Sequence, residues 1–451
     1  MNTAASAPSS LADDLSRFGR DPLAYVTHLR GQGPAVRFRL GATVNLGLFD
    51  PGLVCGMMRA HEAFPKGHYA GPDGVGRFLG DGPLSAVGPK WRASRAVSQS
   101  AFTPSKVTAA AARVLPVVDA VVDRWRAAAD AGTPVDLPRD IRRLTLLVVL
   151  AEFFDDADRD DFDAFEAVIN IIDAGTDFRG LYAAQALSPE VRRKTFAAID
   201  ARDGVLARLE AYLAEFVDRP AASGEGFVAR AKSDPMLARI DSGNERQALR
   251  DIASTFIFAG FGTTASALFS AILTCMRHPD VLARIREELA PIDAAAVARG
   301  ETRARAPYLV ATIHEVLRLY PPIWWVDREA TGPGEIGGVT YEAGDHFVLT
   351  SLALHRDPAH WDDPDAFRPE RFLDGLPTGR ARAYIPFGFG PRYCAGAGFA
   401  VQELLTALAR ILPALDFDLP AGRNFDRFTT AGTLRPAGDW TVGVRRHEEA
   451  R

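Results

Sequence analysis

Cys394 stands in the run Phe387-Gly-Phe-Gly-Pro-Arg-Tyr-Cys394-Ala-Gly396, which sets a thiol, a guanidinium and glycines at 388, 390 and 396 in one short loop. A helical pattern starts directly after it, so the thiol precedes a helix N-terminus. There the dipole and the free N–H groups favour an anionic thiolate. The glycines let the backbone turn tightly and come close to a ligand. Such a thiolate is a strong axial donor to haem iron and pushes electron density toward O–O cleavage. Arg392 offers a cation for a haem propionate. Cys55 and Cys275 lack this context and read as small core or surface residues.

Three further sets of residues carry chemistry. His314-Glu-Val-Leu-Arg318 begins like the zinc pattern H-E-x-x-H, but Arg318 replaces the second histidine and removes that reading. Its i,i+3 spacing puts Glu315 and Arg318 on one helix face, and Phe367-Arg-Pro-Glu-Arg371-Phe follows downstream. Trp91-Arg-Ala-Ser-Arg95 places Trp91 and Arg95 on one face by i,i+4 spacing. Arg328 lies ten residues after Arg318.

The third set is Ala259-Gly-Phe-Gly-Thr263-Thr264. Gly260-Phe-Gly262-Thr-Thr-Ala265 fits the dinucleotide fingerprint G-x-G-x-x-A, with Asp280 downstream as a ribose acid. That fold needs a strand near the acid, and His278-Pro-Asp-Val-Leu-Ala-Arg reads as a helix start, so the fingerprint is set aside. On a helix, Phe256, Ala259, Gly260 and Thr263 share a face. Small residues there admit oxygen and substrate, Thr263 supplies a hydroxyl, and Phe256 lines a pocket. Close helix packing is the plainer use of Ala and Gly.

The elements that must position these groups are mostly helical. Residues 105–130, 140–215, 245–290 and 307–320 have helical spacing. Ile252 to Met276 carries no charge, which is long enough for a membrane span, but its Ser, Thr and Gly content favours a buried helix. After Pro321-Pro322 the runs Ile336–Tyr341 and His346–Leu349 read as strands. A last helix runs from about Ala397 to Ala414, and Trp440–Val444 is a terminal strand. The expected fold is mainly α with small β-sheets. The net charge of −5 argues against nucleic acid as a partner. Three cysteines form no disulfide framework and suit a reducing cytoplasm. The N-terminal MNTAASAPSSLADD has no signal or anchor pattern, so a cytoplasmic location without membrane attachment is expected, with residues 1–14 as a disordered tail.

Together these motifs resemble the cytochrome P450 superfamily: F-x-x-G-x-R-x-C-x-G at the cysteine, E-x-x-R and P-E-R-F, W-x-x-x-R, and the Gly/Thr helix, in family order over about residues 15–445. Leu319-Tyr-Pro-Pro322 and His355-Arg-Asp-Pro358 place it nearer the branch shared with fatty-acid hydroxylases. The resemblance implies one haem domain over residues 1–451 without a fused reductase. It implies haem b with Cys394 as iron ligand, and propionate contacts from Trp91, Arg95, Arg328 and Arg392. Phe387 and Ala259 border the haem. Glu315, Arg318 and Arg371 form a structural network. Thr263, Gly262 and Cys394 are the residues nearest the chemistry.

The family pattern has an acid before the threonine, where this chain has Gly262. That acid ordinarily supports proton delivery during oxygen activation. The expected activity is a monooxygenase or oxidase acting on a small to medium apolar or aromatic molecule in a biosynthetic pathway. Gly262 opens an alternative: a peroxide-driven reaction, or one without oxygen insertion such as coupling, isomerisation or nitration. A haem-binding or sensing protein without turnover is the remaining alternative. Pro321-Pro-Ile323-Trp324-Trp325 lies against haem and substrate in the family. Neighbours in an extended turn point opposite ways, so Ile323 and Trp325 are the pocket candidates, against a reading in which both tryptophans are core. The region 160–215 and the loop 65–89 add substrate contacts. A monomer served by a separate ferredoxin or flavodoxin is expected, with Arg380 and Arg382 as a basic docking patch.

Overall fold

Five of the helices begin on proline: α1 (Pro22–Arg30), α2 (Pro51–Arg59), α4 (Pro104–Ala131), α8 (Pro279–Leu289) and α9 (Pro307–Leu319). Proline at the first turn is pre-set for the helix, and the N–H it lacks would have no partner there. Asp21 and Asp50 cap α1 and α2 by accepting from Ala24 N and Leu53 N. The remaining longer helices are α3 (Gly88–Gln99), α5 (Leu137–Phe154), α6 (Val205–Asp218), α7 (Glu245–Arg277) and α10 (Ala397–Ile411). This is a computed structural model, and it describes residues 16–18, 20–40, 43–67, 76–154, 204–218, 226–241, 243–375, 382–420, 428–429 and 433–447. The tail 1–14, Arg380 and most of 160–215 lie outside them.

The 33-residue α7 is the axis of the main core. Residues 251–257 and 264–275 are buried all round, as in a helix enclosed by others. Its neighbours include α5 and α10. The helix is apolar enough to cross a membrane, but most of it is buried inside the protein. Asp280 sits in the first turn of α8, so no strand follows α7 and the dinucleotide reading fails.

Strands β1 (Ala35–Leu40), β2 (Thr43–Leu48), β4 (Trp325–Glu329) and β7 (His346–Thr350) form a sheet in the order β1-β2-β7-β4. The β2–β7 pair is parallel, and the other two are antiparallel. The run read as one strand, Ile336–Tyr341, is a hairpin of β5 (Gly334–Ile336) and β6 (Val339–Tyr341). Gly337 and Gly338 both have positive φ, which makes the tight turn that divides it. Strands β3 (Val135–Asp136), β8 (Leu415–Asp418) and β11 (Thr441–Arg446) make a second sheet, and β9 (Phe428–Thr429) pairs with β10 (Arg435–Pro436). The architecture is mainly helical with small sheets.

Candidate active site

The cysteine loop is shaped by its own backbone. Gly388 N donates to Ile385 O and Cys394 N to Phe387 O, both at 3.0 Å. Gly390 has φ 71°, and a Cβ there would lie 3.0 Å from Met58 O at the end of α2, so only glycine lets the loop settle on that helix. Gly396 caps α10. Cys55 and Cys275 are buried, whereas the Cys394 thiol is open. Desolvation by the surrounding protein pushes that thiol above its ordinary pKa, and the Gly396 N–H, Arg95 and Lys66 pull it back toward the anion.

Four cations converge beside the thiol. Arg392 lies over the Trp91 ring at 4.2 Å and donates to Ala86 O at 2.9 Å. Burial, then Arg328 and Arg95, push it down to about 10. Arg328 is buried on β4 and donates to Asp327 O. Lys66, not singled out in the sequence, joins them because its backbone bridges to Arg328. Burial, then Arg328 and Arg392, drive its pKa well down. Arg95 Nε and Arg392 Nη1 are buried without a hydrogen-bond partner. Orphaned donors among mutually repelling cations call for an anion. A haem with two carboxylates fits both them and the open thiol.

Glu315 and Arg318 are fully buried and paired through two bonds of 2.7 and 2.8 Å. Arg371 Nε reaches Glu315 at 3.2 Å, and Arg318 also donates to the carbonyls of His355, Pro364 and Ala366. His355 extends the network: Nδ1 lies 3.0 Å from Arg318 O, and Nε2 accepts from Ile385 N at 2.9 Å, two residues before Phe387. Burial drives its pKa down to about 3. The neutral ring thus donates at Nδ1 and accepts at Nε2.

In the middle of α7 the half-buried residues are Phe258, Ala259, Gly260, Gly262 and Thr263, so three of the four residues of the expected face are partly open and Phe256 is not. Phe256 is 7% exposed among Phe102, Phe153 and Phe227, so it belongs to the core and not to a pocket. A Cβ on Gly260 would meet Val149 at 3.0 Å, so this glycine lets α5 approach. Phe258 is half-buried against the main core and was not singled out in the sequence. The Thr263 hydroxyl donates to Ala259 O at 2.7 Å. A Cβ on Gly262 would meet nothing within 4 Å.

Ile323 is 42% exposed. Trp325 is not: it is 3% exposed and packs on Phe18, Phe38 and Trp324, so both tryptophans are core. Phe387 is half-buried beside Tyr393.

An open cysteine at the head of a helix, beside unpaired cations and a helix face of small residues, defines a thiolate-ligated haem oxidoreductase. The cytochrome P450 family model matches residues 15–439, and the chain belongs to that family. It is 31% identical over 400 residues to a probable cytochrome P450 4d20 of Drosophila melanogaster, covering 82% of this chain and 77% of the relative. It is 28% identical over 410 residues to cyclooctatin synthase of Streptomyces melanosporofaciens, covering 89% and 86%. The haem domain of cytochrome P450DA superposes with a TM-score of 0.81 at 23% identity, over 99% of this chain and 97% of that one. The family carries haem iron with a cysteine thiolate, and its members are typically monooxygenases.

Proposed function

We propose that the chain is a haem-thiolate monooxygenase or oxidase of small to medium apolar or aromatic molecules, with Cys394 as the iron ligand. The observation that carries this is the open Cys394 beside the unpaired cations, since both other cysteines are buried. Haem bound there would supply oxygen activation, with the thiolate as electron donor. Lys66, Arg95, Arg328 and Arg392 neutralise its carboxylates, and Trp91 supports Arg392 from below. Phe387 and Ala259 border it. The Glu315–Arg318–Arg371 network, through His355, holds the start of the cysteine loop. Thr263 presents a hydroxyl whose proton is already given to Ala259 O, so it offers lone pairs to a donor in the cavity. Half-buried Phe258 and exposed Ile323 are apolar, which supports an apolar substrate. A carbon monoxide difference spectrum of the reduced protein tests the ligand. The thiolate-type band is expected in wild type, Cys55→Ser and Cys275→Ser, and its survival in Cys394→Ser would sink the assignment.

Gly262 supports a second reading. No side chain fills the position of the usual acid, and nothing in the packing requires glycine there. Proton delivery then falls to water or to the substrate, or the enzyme uses peroxide or performs a reaction without oxygen insertion. Peroxide is expected to support turnover at least as well as a reduced partner does, and better-coupled turnover with a partner chain would refute this.

Electrons, where used, come from a separate ferredoxin or flavodoxin. Exposed Arg59 and Arg382, close enough to act together on Cys55, support a basic docking face. The net charge of −5 supports a partner other than nucleic acid, and the three cysteines support a cytoplasmic location. The name of the Streptomyces relative supports a biosynthetic role.

A further inference from the structure

Asp251 is a buried acid on α7 that the site above does not use. Its carboxylate faces a turn from a distant part of the chain. Asp81 N donates to Asp251 Oδ2 at 2.8 Å, while Gln247 Nε2 and Arg250 Nη1 hold Oδ1 at 2.8 and 3.0 Å. The glycines flanking Asp81 make this approach possible. A Cβ on Gly80 would lie 2.3 Å from the Asp251 carboxylate, and one on Gly82 would lie 2.5 Å from Asp251 O. The turn is tied internally as well: Ser85 Oγ donates to Gly80 O, and Ala86 N to Gly82 O at 2.9 Å. Its far end reaches the cation cluster, because Ala86 O accepts from Arg392 Nη2 at 2.9 Å. Hydrogen bonds joined by the backbone of the turn thus connect Asp251 to Arg392, whose Nη1 is an orphaned donor.

We infer that Asp251 is a positioning residue for Arg392. It anchors the strap Gly80–Ala86 to α7, and the strap aims the guanidinium at a haem carboxylate. Asp251 itself touches neither haem nor substrate. The inference rests on the proposed role of Arg392, and the test keeps the two apart.

The holoenzyme is mixed with excess apomyoglobin, and the rate of haem transfer is read in the Soret band for wild type, D251A, D251N, G82A, R392K and D251A/R392K. Loss of one charge-assisted hydrogen bond gives about a tenfold rise in rate for D251A. D251N keeps an oxygen for the Asp81 N–H but turns its amide nitrogen toward the Gln247 and Arg250 donors, so its rate is expected between those of wild type and D251A. G82A leaves Asp251 intact but forces the strap off α7, so it should match D251A. If Asp251 acts through Arg392, D251A adds less than about twofold on the R392K background. An equal acceleration by D251A in both backgrounds would be general loosening and would overturn the inference. No acceleration in D251A, or none in G82A, would also overturn it. An unchanged rate in R392K would instead overturn the proposed role of Arg392, and this inference with it.

Discussion

Replacing Arg318 by methionine removes five hydrogen bonds at once. Two go to Glu315 and one each to the carbonyls of His355, Pro364 and Ala366. Breaking a buried ion pair from one side costs about 3–5 kcal/mol, because the remaining charge stays buried. Each orphaned carbonyl adds about 1 kcal/mol. Arg371 and the Arg368 N–H stay on Glu315 at 3.2 and 2.9 Å and offset part of this. A net loss of about 5 kcal/mol is then comparable with the whole stability of many proteins. Urea unfolding followed by tryptophan fluorescence, with the carbon monoxide spectrum as a measure of correctly ligated haem, reads both consequences. R318M is expected mostly unfolded or without haem, and R318K intermediate because it keeps the charge without the planar fork. In R318M the Glu315 carboxylate keeps Arg371, so E315Q/R318M, which orphans that guanidinium, should be no more stable than R318M. An R318M protein within about 1 kcal/mol of wild type would refute the reasoning. A double variant clearly more stable than R318M would show that Arg371 does not hold the charge left on Glu315.

G262E places a carboxylate in open space, so it should fold normally and shift the balance of turnover from peroxide toward a reduced partner. An unchanged ratio in a protein with normal haem content would remove Gly262 from the chemistry. His314 and His355 are held neutral, their pKa values pushed down by burial to about 4 and about 3. Folded, they bind fewer protons than the unfolded chain does, so stability rises with pH. Their contribution is complete above about pH 6.5 and is lost as pH falls through 4 toward 3. H355N should flatten the pH dependence of the urea midpoint below neutrality, and an unaltered slope would refute the assignment. I323A should change the affinity of apolar ligands, read by the haem spin-state shift, with little change in stability. W325A should do the reverse and cost about 3–5 kcal/mol; a W325A protein of wild-type stability would contradict its place in the core.

The cysteine loop and the Glu315 network were legible in the sequence because their geometry is local: glycines beside the thiol, and a carboxylate one helical turn from its arginine. Lys66 was not, because its place beside Arg328 comes from backbone pairing across some 260 residues, which no spacing reveals. Helical periodicity grouped Phe256 with Ala259 and Thr263 correctly as neighbours. It could not tell which edge of that stripe packs on α5, and the answer turned on Phe153 and Val149. The two tryptophans illustrate the same limit. Alternation along an extended segment separates the faces of an isolated strand, but Phe18 and Phe38 fold back to cover Trp325. The hairpin over 334–341 was readable from its glycine pair, and the hydrophobic run around it masked the break.

The parallel pairing of β2 with β7 joins Asn45 to His346. At ribosomal speeds of roughly 5–20 residues per second, β2 leaves the ribosome some 15–60 seconds before its partner exists. Through that interval the β1–β2 hairpin has a bare hydrogen-bonding edge, open to the same edge on a neighbouring nascent chain. Slower synthesis between the two strands should lengthen this exposure, so the yield of soluble protein should depend on translation rate and on chaperone supply as well as on the stability of the finished fold.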